Sequence, residues 1–170
     1  MKKLYCGGTF CFDFVDPDYT TSAAMDYRVR ILGSVEGLMR KRTDNFIKEE
    51  VEYIGPYYVE TEDVPYGLND EIIVGTELKM IEECTDAIFL LDDGCCPGTI
   101  SELTLASVRG KRVAVFYIRR NEDEETESSL HTPCWFAIIM SRLLNDNTRL
   151  FSCADREDAV GKIVKYVSEL

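Results

Sequence analysis

Histidine and paired cysteines, the usual ligands of protein-bound zinc, are scarce in this chain. The 170 residues include one histidine, His131, and none of the seven cysteines belongs to a Cys-x-x-Cys pair. Because a zinc site needs several such ligands at short spacing, we expect no bound metal, and we expect no cofactor either. The odd number of cysteines, with Cys95 and Cys96 adjacent, favours reduced thiols buried as small apolar side chains.

Positive charge and long apolar runs are also lacking. The chain has 19 Lys and Arg against 31 Asp and Glu, a formal charge of -12, which repels phosphate backbones and anionic lipids. We therefore expect no polymeric nucleic acid and no membrane as a partner, whereas a local group of backbone N–H donors could still bind a small nucleotide. No apolar stretch suits a signal peptide or a membrane span, which predicts a cytoplasmic protein.

The chain does contain abundant apolar residues and a regular alternation of secondary-structure types. Hydrophobic residues make up 45% of the sequence, enough for one domain over residues 1–170 with a sizeable core. Predicted strands at residues 2–6, 52–54, 86–91, 112–118 and 149–152 alternate with helical segments. This alternation predicts an α/β fold, a flavodoxin-like or Rossmann-like three-layer sandwich with a five-stranded parallel sheet. Ligands of such sheets bind beyond the carboxyl ends of the strands.

Residues 92–102 concentrate the side chains of a candidate site. They contain a strand exit, a Pro-Gly turn and a helix start, where Gly98 and Thr99 would favour a bound oxyanion. Glu102, one turn into the helix, would point back toward the ligand. The same residues fit a capping box, in which Thr99 caps the helix and Glu102 bonds back to it. Asp92 and Asp93 could reach a base or a ribose hydroxyl, or could cap the turn.

Other residues that could surround a ligand have ordinary structural explanations as well. Aromatic residues after the first two strands could stack on a base or pack in the core: Phe10, Phe12, Tyr57 and Tyr58. Four arginines could contact a phosphate or face solvent: Arg28, Arg30, Arg40 and Arg42.

On the residues around Glu102, the chain resembles the nucleoside 2-deoxyribosyltransferase family. The matching pieces are Gly98-Thr99, Glu102, the small-residue helix that ends at Gly110-Lys111, and Tyr5 before Gly7-Gly8 in the first strand. The resemblance implies that Glu102 attacks the anomeric carbon of a nucleoside or nucleotide and releases the base. The sugar then passes to another base or to water. The resemblance also implies that Tyr5 orients Glu102. Asp92 is a further candidate catalytic residue because of its place at the strand tip, not because of the resemblance.

The chain departs from this family at two positions. Cys96 stands where many members have an aspartate near the sugar, and Glu77 is the nearest counterpart of an aspartate that assists proton transfer to the base, about one residue out of register. The residues expected to bind substrate are Gly7, Gly8, Thr9, Phe10, Tyr57, Glu77, Asp93, Gly98 and Thr99. Members of the family are usually homo-oligomers, so residues 133–144 are a candidate interface or, alternatively, a buried crossover helix.

The sequence thus favours an N-glycosidic enzyme, either a transferase or a hydrolase, that acts on a small nucleoside or nucleotide. A nucleotide-sensing module without turnover is the alternative that Cys96 favours. The phosphoribohydrolases that activate cytokinins are a related enzyme class, but their longer glycine-rich turn is absent here. An interaction domain that docks a basic partner through its acidic residues is a third interpretation.

Overall fold

The structure is a computed structural model that describes residues 1–9, 26–34, 36–39, 46–57, 68–92, 97–118 and 134–170. In chain order its elements are β1 (Lys2–Gly7), α1 (Tyr27–Leu32), α2 (Glu36–Met39), β2 (Phe46–Lys48), β3 (Val51–Gly55), α3 (Leu68–Glu83), β4 (Asp86–Leu91), α4 (Pro97–Val108), β5 (Arg112–Ile118), α5 (Trp135–Leu144), β6 (Thr148–Cys153) and α6 (Arg156–Ser168).

The strands form one sheet in the order β2-β3-β1-β4-β5-β6. The pairs β1/β3, β4/β5 and β5/β6 are parallel, whereas β2 runs antiparallel to β3. The predicted α/β class and mostly parallel sheet are therefore confirmed, but the predicted count of five strands is wrong. Without β2, the strands follow the order second, first, third, fourth, fifth, which is the order of flavodoxin-like sheets.

The additional strand, β2, has little sequence signal. It is three residues long, it pairs with β3 across a turn at Glu49 and Glu50, and its Phe46 is half exposed. Three residues are too few to show an alternation of apolar and polar side chains, and two glutamates are not the residues that tight hairpin turns favour. Short, charged strands of this kind are common at sheet edges.

Contacts between residues divide the chain into two compact units. Unit 1 comprises residues 1–5 and 10–85, and unit 2 comprises residues 6–9 and 86–170. The organisation as one domain over residues 1–170 stays a prediction. Of the seven cysteines, the four in the described residues are buried, as expected: Cys6, Cys84, Cys134 and Cys153.

Unit 1 contains a fully buried ion pair at the start of α1. Asp26 is the N-cap, and its carboxylate accepts hydrogen bonds from Nε and Nη2 of Arg28, both at 2.7 Å, and from the Arg28 backbone N–H at 2.9 Å. Burial alone would lower the pKa of Arg28, but the hydrogen bonds and charge of Asp26 outweigh it and raise that pKa above its usual value. Of the two alternatives left open for the arginines, facing solvent is therefore wrong for Arg28, whereas Arg30 is exposed.

In helix α3, also in unit 1, the buried positions among residues 71–83 lie near the C-terminal end. Met80 and Ile81 are buried, but Val74 and Leu78, which the spacing predicts on the inner face, are exposed. The apolar side chains of α3 are spread around the helix and do not form one stripe, so their spacing could not reveal which turns pack on β3.

In unit 2, three parallel strands carry packed helices, and burial is greatest on β4 and the middle of β5. The register runs from Asp86 opposite Arg112 to Leu91 opposite Tyr117, and β6 adds to the far side of β5. Helix α4 packs against α5 and the strands β4 and β5, whereas α6 packs against β5 and β6. Asp155 caps α6 by accepting a hydrogen bond of 2.8 Å from the Asp158 N–H.

Candidate functional site

Two glycines at the end of β1 lie at the carboxyl edge of unit 2, and glycine is favoured at each position for a different reason. Gly7 is the last residue of β1, and Gly8 follows it with a φ of 144°. This backbone conformation is strained for any residue with a side chain, so position 8 favours glycine for its conformation. Gly7 is needed for space, because its surroundings leave no room for a Cβ atom.

Helix α4 begins at Pro97, three residues earlier than the capping-box interpretation requires. Proline is favoured at the first helical position, and the Ser101 hydroxyl donates to the Pro97 carbonyl at 2.9 Å within the first turn. Thr99 therefore lies inside the helix, where it is buried at 3% exposure, and does not act as the N-cap. The capping box formed by Thr99 and Glu102 is thus the wrong alternative.

Glu102 lies on the flank of α4 beside the inner face of the helix. The inner face is formed by Thr99, Leu103, Ala106 and Ser107, all buried, while Glu102 itself is half-buried. Helical side chains lean toward the N-terminus, so the Glu102 carboxylate is directed over the turn that contains Gly98.

The carboxylate of Glu102 lies against the bare backbone of Gly7. A Cβ atom built on Gly7 would lie 2.9 Å from Oε2 of Glu102 and would overlap the ring of Phe89. Phe89 is on β4 and is fully buried, so it gives this contact a rigid apolar floor. A half-buried carboxylate is therefore held at the carboxyl end of β1, the edge where ligands of parallel sheets bind.

A second carboxylate of unit 2 follows β4. Asp92 comes directly after Leu91, and its Oδ2 accepts a hydrogen bond of 2.6 Å from Nη1 of Arg156, the first residue of α6. The Asp92 side chain is 13% exposed and that of Arg156 is 37% exposed. This charge-assisted hydrogen bond fixes the orientation of the Asp92 carboxylate at the end of β4. Sequence reasoning missed Arg156, whose signal was a cation directly after a helix cap.

The structure places the remaining predicted site residues in both units. Within unit 2, Gly8 and Thr9 follow Gly7, and Gly98 is exposed in the first turn of α4. Unit 1 contains Tyr5, which is fully buried on β1, Glu77, which is half-buried on α3, and Tyr57. Phe10 and Asp93 lie outside the described residues, as do Phe12, Tyr58, Cys96 and His131. The substrate roles of all these residues stay predictions.

The contacts of Tyr57 agree with the interpretation that this residue packs against its neighbours. Its hydroxyl donates to the Tyr53 carbonyl at 2.8 Å, and its ring meets that of Tyr53 edge to face at 5.3 Å. The Tyr53 hydroxyl in turn donates to the Pro56 carbonyl. Tyr57 therefore stabilises the exit of β3 whether or not it also contacts a ligand.

Two further observations concern only the part of the chain that the structure describes. These residues include no group of three or more histidine, cysteine, aspartate or glutamate side chains arranged to hold a metal ion. None of their helices combines the length and the apolar character that crossing a membrane requires. The cytoplasmic location stays a prediction.

Comparison with known proteins adds information about the fold. No protein-family model and no curated protein sequence matches the chain. Among solved structures, the CMP N-glycosidase BcmB of Clostridium botulinum matches over 95% of this chain and 98% of its own, with a TM-score of 0.51. The two chains share a fold. Their sequence identity is 13%, so the fold is the extent of what this match establishes.

Proposed function

We propose that this protein cleaves the N-glycosidic bond of a small nucleoside or nucleotide, with Glu102 as the nucleophile. The observation that carries the proposal is the Glu102 carboxylate held against Gly7 at the carboxyl end of β1. The fold it shares with a CMP N-glycosidase supports the reaction class, because that protein acts on the same type of bond.

In the proposed reaction, an oxygen of Glu102 attacks C1′ of the sugar while the bond from C1′ to the base nitrogen breaks. The electron pair of that bond leaves with the base, which takes up a proton, and the sugar stays attached to Glu102 as an ester. Water or an acceptor base then attacks C1′ and regenerates the carboxylate. An anion suits this step because the transition state resembles an oxocarbenium ion.

Three other residues have proposed roles in this reaction. The resemblance to the deoxyribosyltransferases supports Tyr5 as the residue that orients Glu102 and Glu77 as the one that assists the proton transfer. Asp92, oriented by Arg156, is proposed to accept a hydrogen bond from a sugar hydroxyl. Replacing Tyr5 with phenylalanine tests the first role, because it removes the hydroxyl and keeps the buried ring.

A nucleotide-sensing module is the second candidate function. Two observations favour it: Cys96 stands where the resembled family has an aspartate, and Asp92 is already engaged by Arg156. A sensing module would bind its ligand at the same edge of unit 2 and leave it intact.

The deciding experiment follows free base by chromatography during incubation with a panel of nucleosides and 5′-monophosphates, with and without an acceptor base. Glu102→Gln should lower base release by at least about 1,000-fold, the order expected when a nucleophile is lost. Glu157→Gln, a matched change at an exposed position of the same unit, should have no such effect. Tight binding without any base release would favour the sensing module.

We also propose that α5 is the surface through which copies of this chain associate. One face of α5 packs inward through Cys134, Ala137, Ile138 and Ser141. Its other face exposes large apolar side chains, with Phe136 at 63% and Leu143 at 77% exposure. Exposed apolar patches of this kind commonly mark protein interfaces. Size-exclusion chromatography with light scattering tests the proposal.

A further inference from the structure

The charges of unit 2 are distributed unequally between the two edges of its strands. Six of the eight cations of its described residues lie where helices end or strands begin, at the amino edge: Arg109, Lys111, Arg112, Arg142, Arg149 and Lys165. Two cations reach the carboxyl edge. Lys162 donates to Asp158 and to the Ser152 carbonyl on the outer strand β6, at 2.6 and 2.7 Å. Arg156 reaches inward to β4, the strand that carries Phe89.

Arg156 occupies a position that helix electrostatics disfavours. It is the first residue of α6, at the positive end of the helix dipole, where acidic residues such as Glu157 and Asp158 are stabilising and cations are not. Its ion pair with Asp92 compensates for this placement. A local rule broken in this way is typical of functional positions.

The geometry of the pair sets the guanidinium at the ligand edge. Strand β5 lies between β4 and β6, so Asp92 and the start of α6 are about two strand spacings, roughly 10 Å, apart. The Arg156 side chain spans this distance past the end of β5, and its Nη1 meets Oδ2 of Asp92 at 2.6 Å. With 37% of that side chain exposed, a ligand at this edge can contact it.

We propose that Arg156 binds the 5′-phosphate of the substrate, which makes the substrate a nucleoside 5′-monophosphate. A phosphate carries nearly two negative charges at neutral pH and would be repelled by Glu102 and Asp92 without a cation beside them. The planar guanidinium matches phosphate oxygens in geometry, and Asp92 positions it. The inference deepens the proposed function and, where catalysis is concerned, rests on it.

The test measures kcat/KM for matched pairs such as cytidine and cytidine 5′-monophosphate, with pairs for the other three bases. We expect the wild-type protein to have a higher kcat/KM for the monophosphate than for the nucleoside. Arg156→Gln should lower the ratio of these two kcat/KM values by about 10- to 100-fold, as for one charge-assisted hydrogen bond. Arg112→Gln is the matched control, because Arg112 pairs with Asp86 at 2.8 Å at the opposite edge. The control should keep the wild-type ratio.

Folding defects are separated from recognition by a second variant. The double change Asp92→Asn with Arg156→Gln removes both charges at once, so neither is left buried and unpaired. It should show the same loss of preference for the monophosphate. A purely structural role would lower use of the nucleoside and the monophosphate alike and leave their ratio unchanged, which would overturn the inference.

Binding measurements distinguish failure of the inference from failure of the proposed function. Calorimetry with cytidine and the four nucleoside 5′-monophosphates needs no turnover. If no base is released but a monophosphate binds more tightly than its nucleoside, and Arg156→Gln abolishes that difference, the proposed reaction fails and the phosphate site stands. Equal affinity for nucleoside and monophosphate, or no monophosphate binding at all, would overturn the phosphate site.

Discussion

Replacing Gly7 with alanine perturbs the contact on which the proposed chemistry depends. The new methyl carbon would lie 2.9 Å from Oε2 of Glu102 and inside the ring of Phe89. Since atoms in contact pack at about 3.5–4.0 Å, the carboxylate must withdraw by roughly 0.5 Å or more, and the fully buried ring must move as well. Overpacking of this kind costs about 1–3 kcal/mol.

Two measurements follow from that estimate. The melting temperature of Gly7→Ala should fall by about 2–4 °C for each kcal/mol lost in a chain of this size. Base release should fall on the order of 100-fold, because small displacements of a catalytic group are costly. Gly161→Ala is the control: that glycine lies within α6 with open space around it, so alanine should stabilise the helix by about 0.5–1 kcal/mol. A Gly7→Ala protein that melts and reacts like the wild type would refute the reasoning.

The remaining predictions concern the turn, the buried ion pair and the exposed helix. Gly8→Ala should lose about 1–3 kcal/mol in urea unfolding because of its positive φ, and an unchanged midpoint would contradict this. Arg28→Met, which leaves a buried carboxylate unpaired, should cost about 3–5 kcal/mol, whereas Arg30→Met on the same helix should cost under about 0.5 kcal/mol. Phe136→Glu and Leu143→Glu should each reduce the mass measured by light scattering, and an unchanged mass would exclude α5 as the interface.

Much of the fold could be predicted because buried parallel strands have a clear signal. The continuous apolar run from Ala87 to Leu91 and the apolar residues of β5 indicate strands covered on both faces, and the structure confirms both. Strand β2 could not be predicted, because a three-residue edge strand has no periodicity to detect. The prediction that Val74 and Leu78 lie on the core side of α3 was wrong, because spacing alone does not tell which turns of a helix pack against other elements.

The candidate site could be predicted in part. Glu102 and Gly7 were identified from turn chemistry and resemblance, but the contact between them depends on tertiary packing that no local pattern encodes. Nothing in the sequence distinguishes Phe89 as a residue of the candidate site, since it is one apolar residue in an apolar strand. The start of α4 was predictable from Pro97, which favours the first helical position, and this would have excluded the capping box.

The most direct test of the central claim is to trap the sugar on Glu102. A 2′-deoxy-2′-fluoro nucleoside 5′-monophosphate, whose sugar fluorine slows breakdown of a glycosyl ester, is incubated with the protein, and the peptide containing Glu102 is fragmented by mass spectrometry. The account predicts a covalent glycosyl adduct on Glu102 that is absent from Glu102→Gln. Base release without any adduct, or with the adduct on another residue, would contradict it.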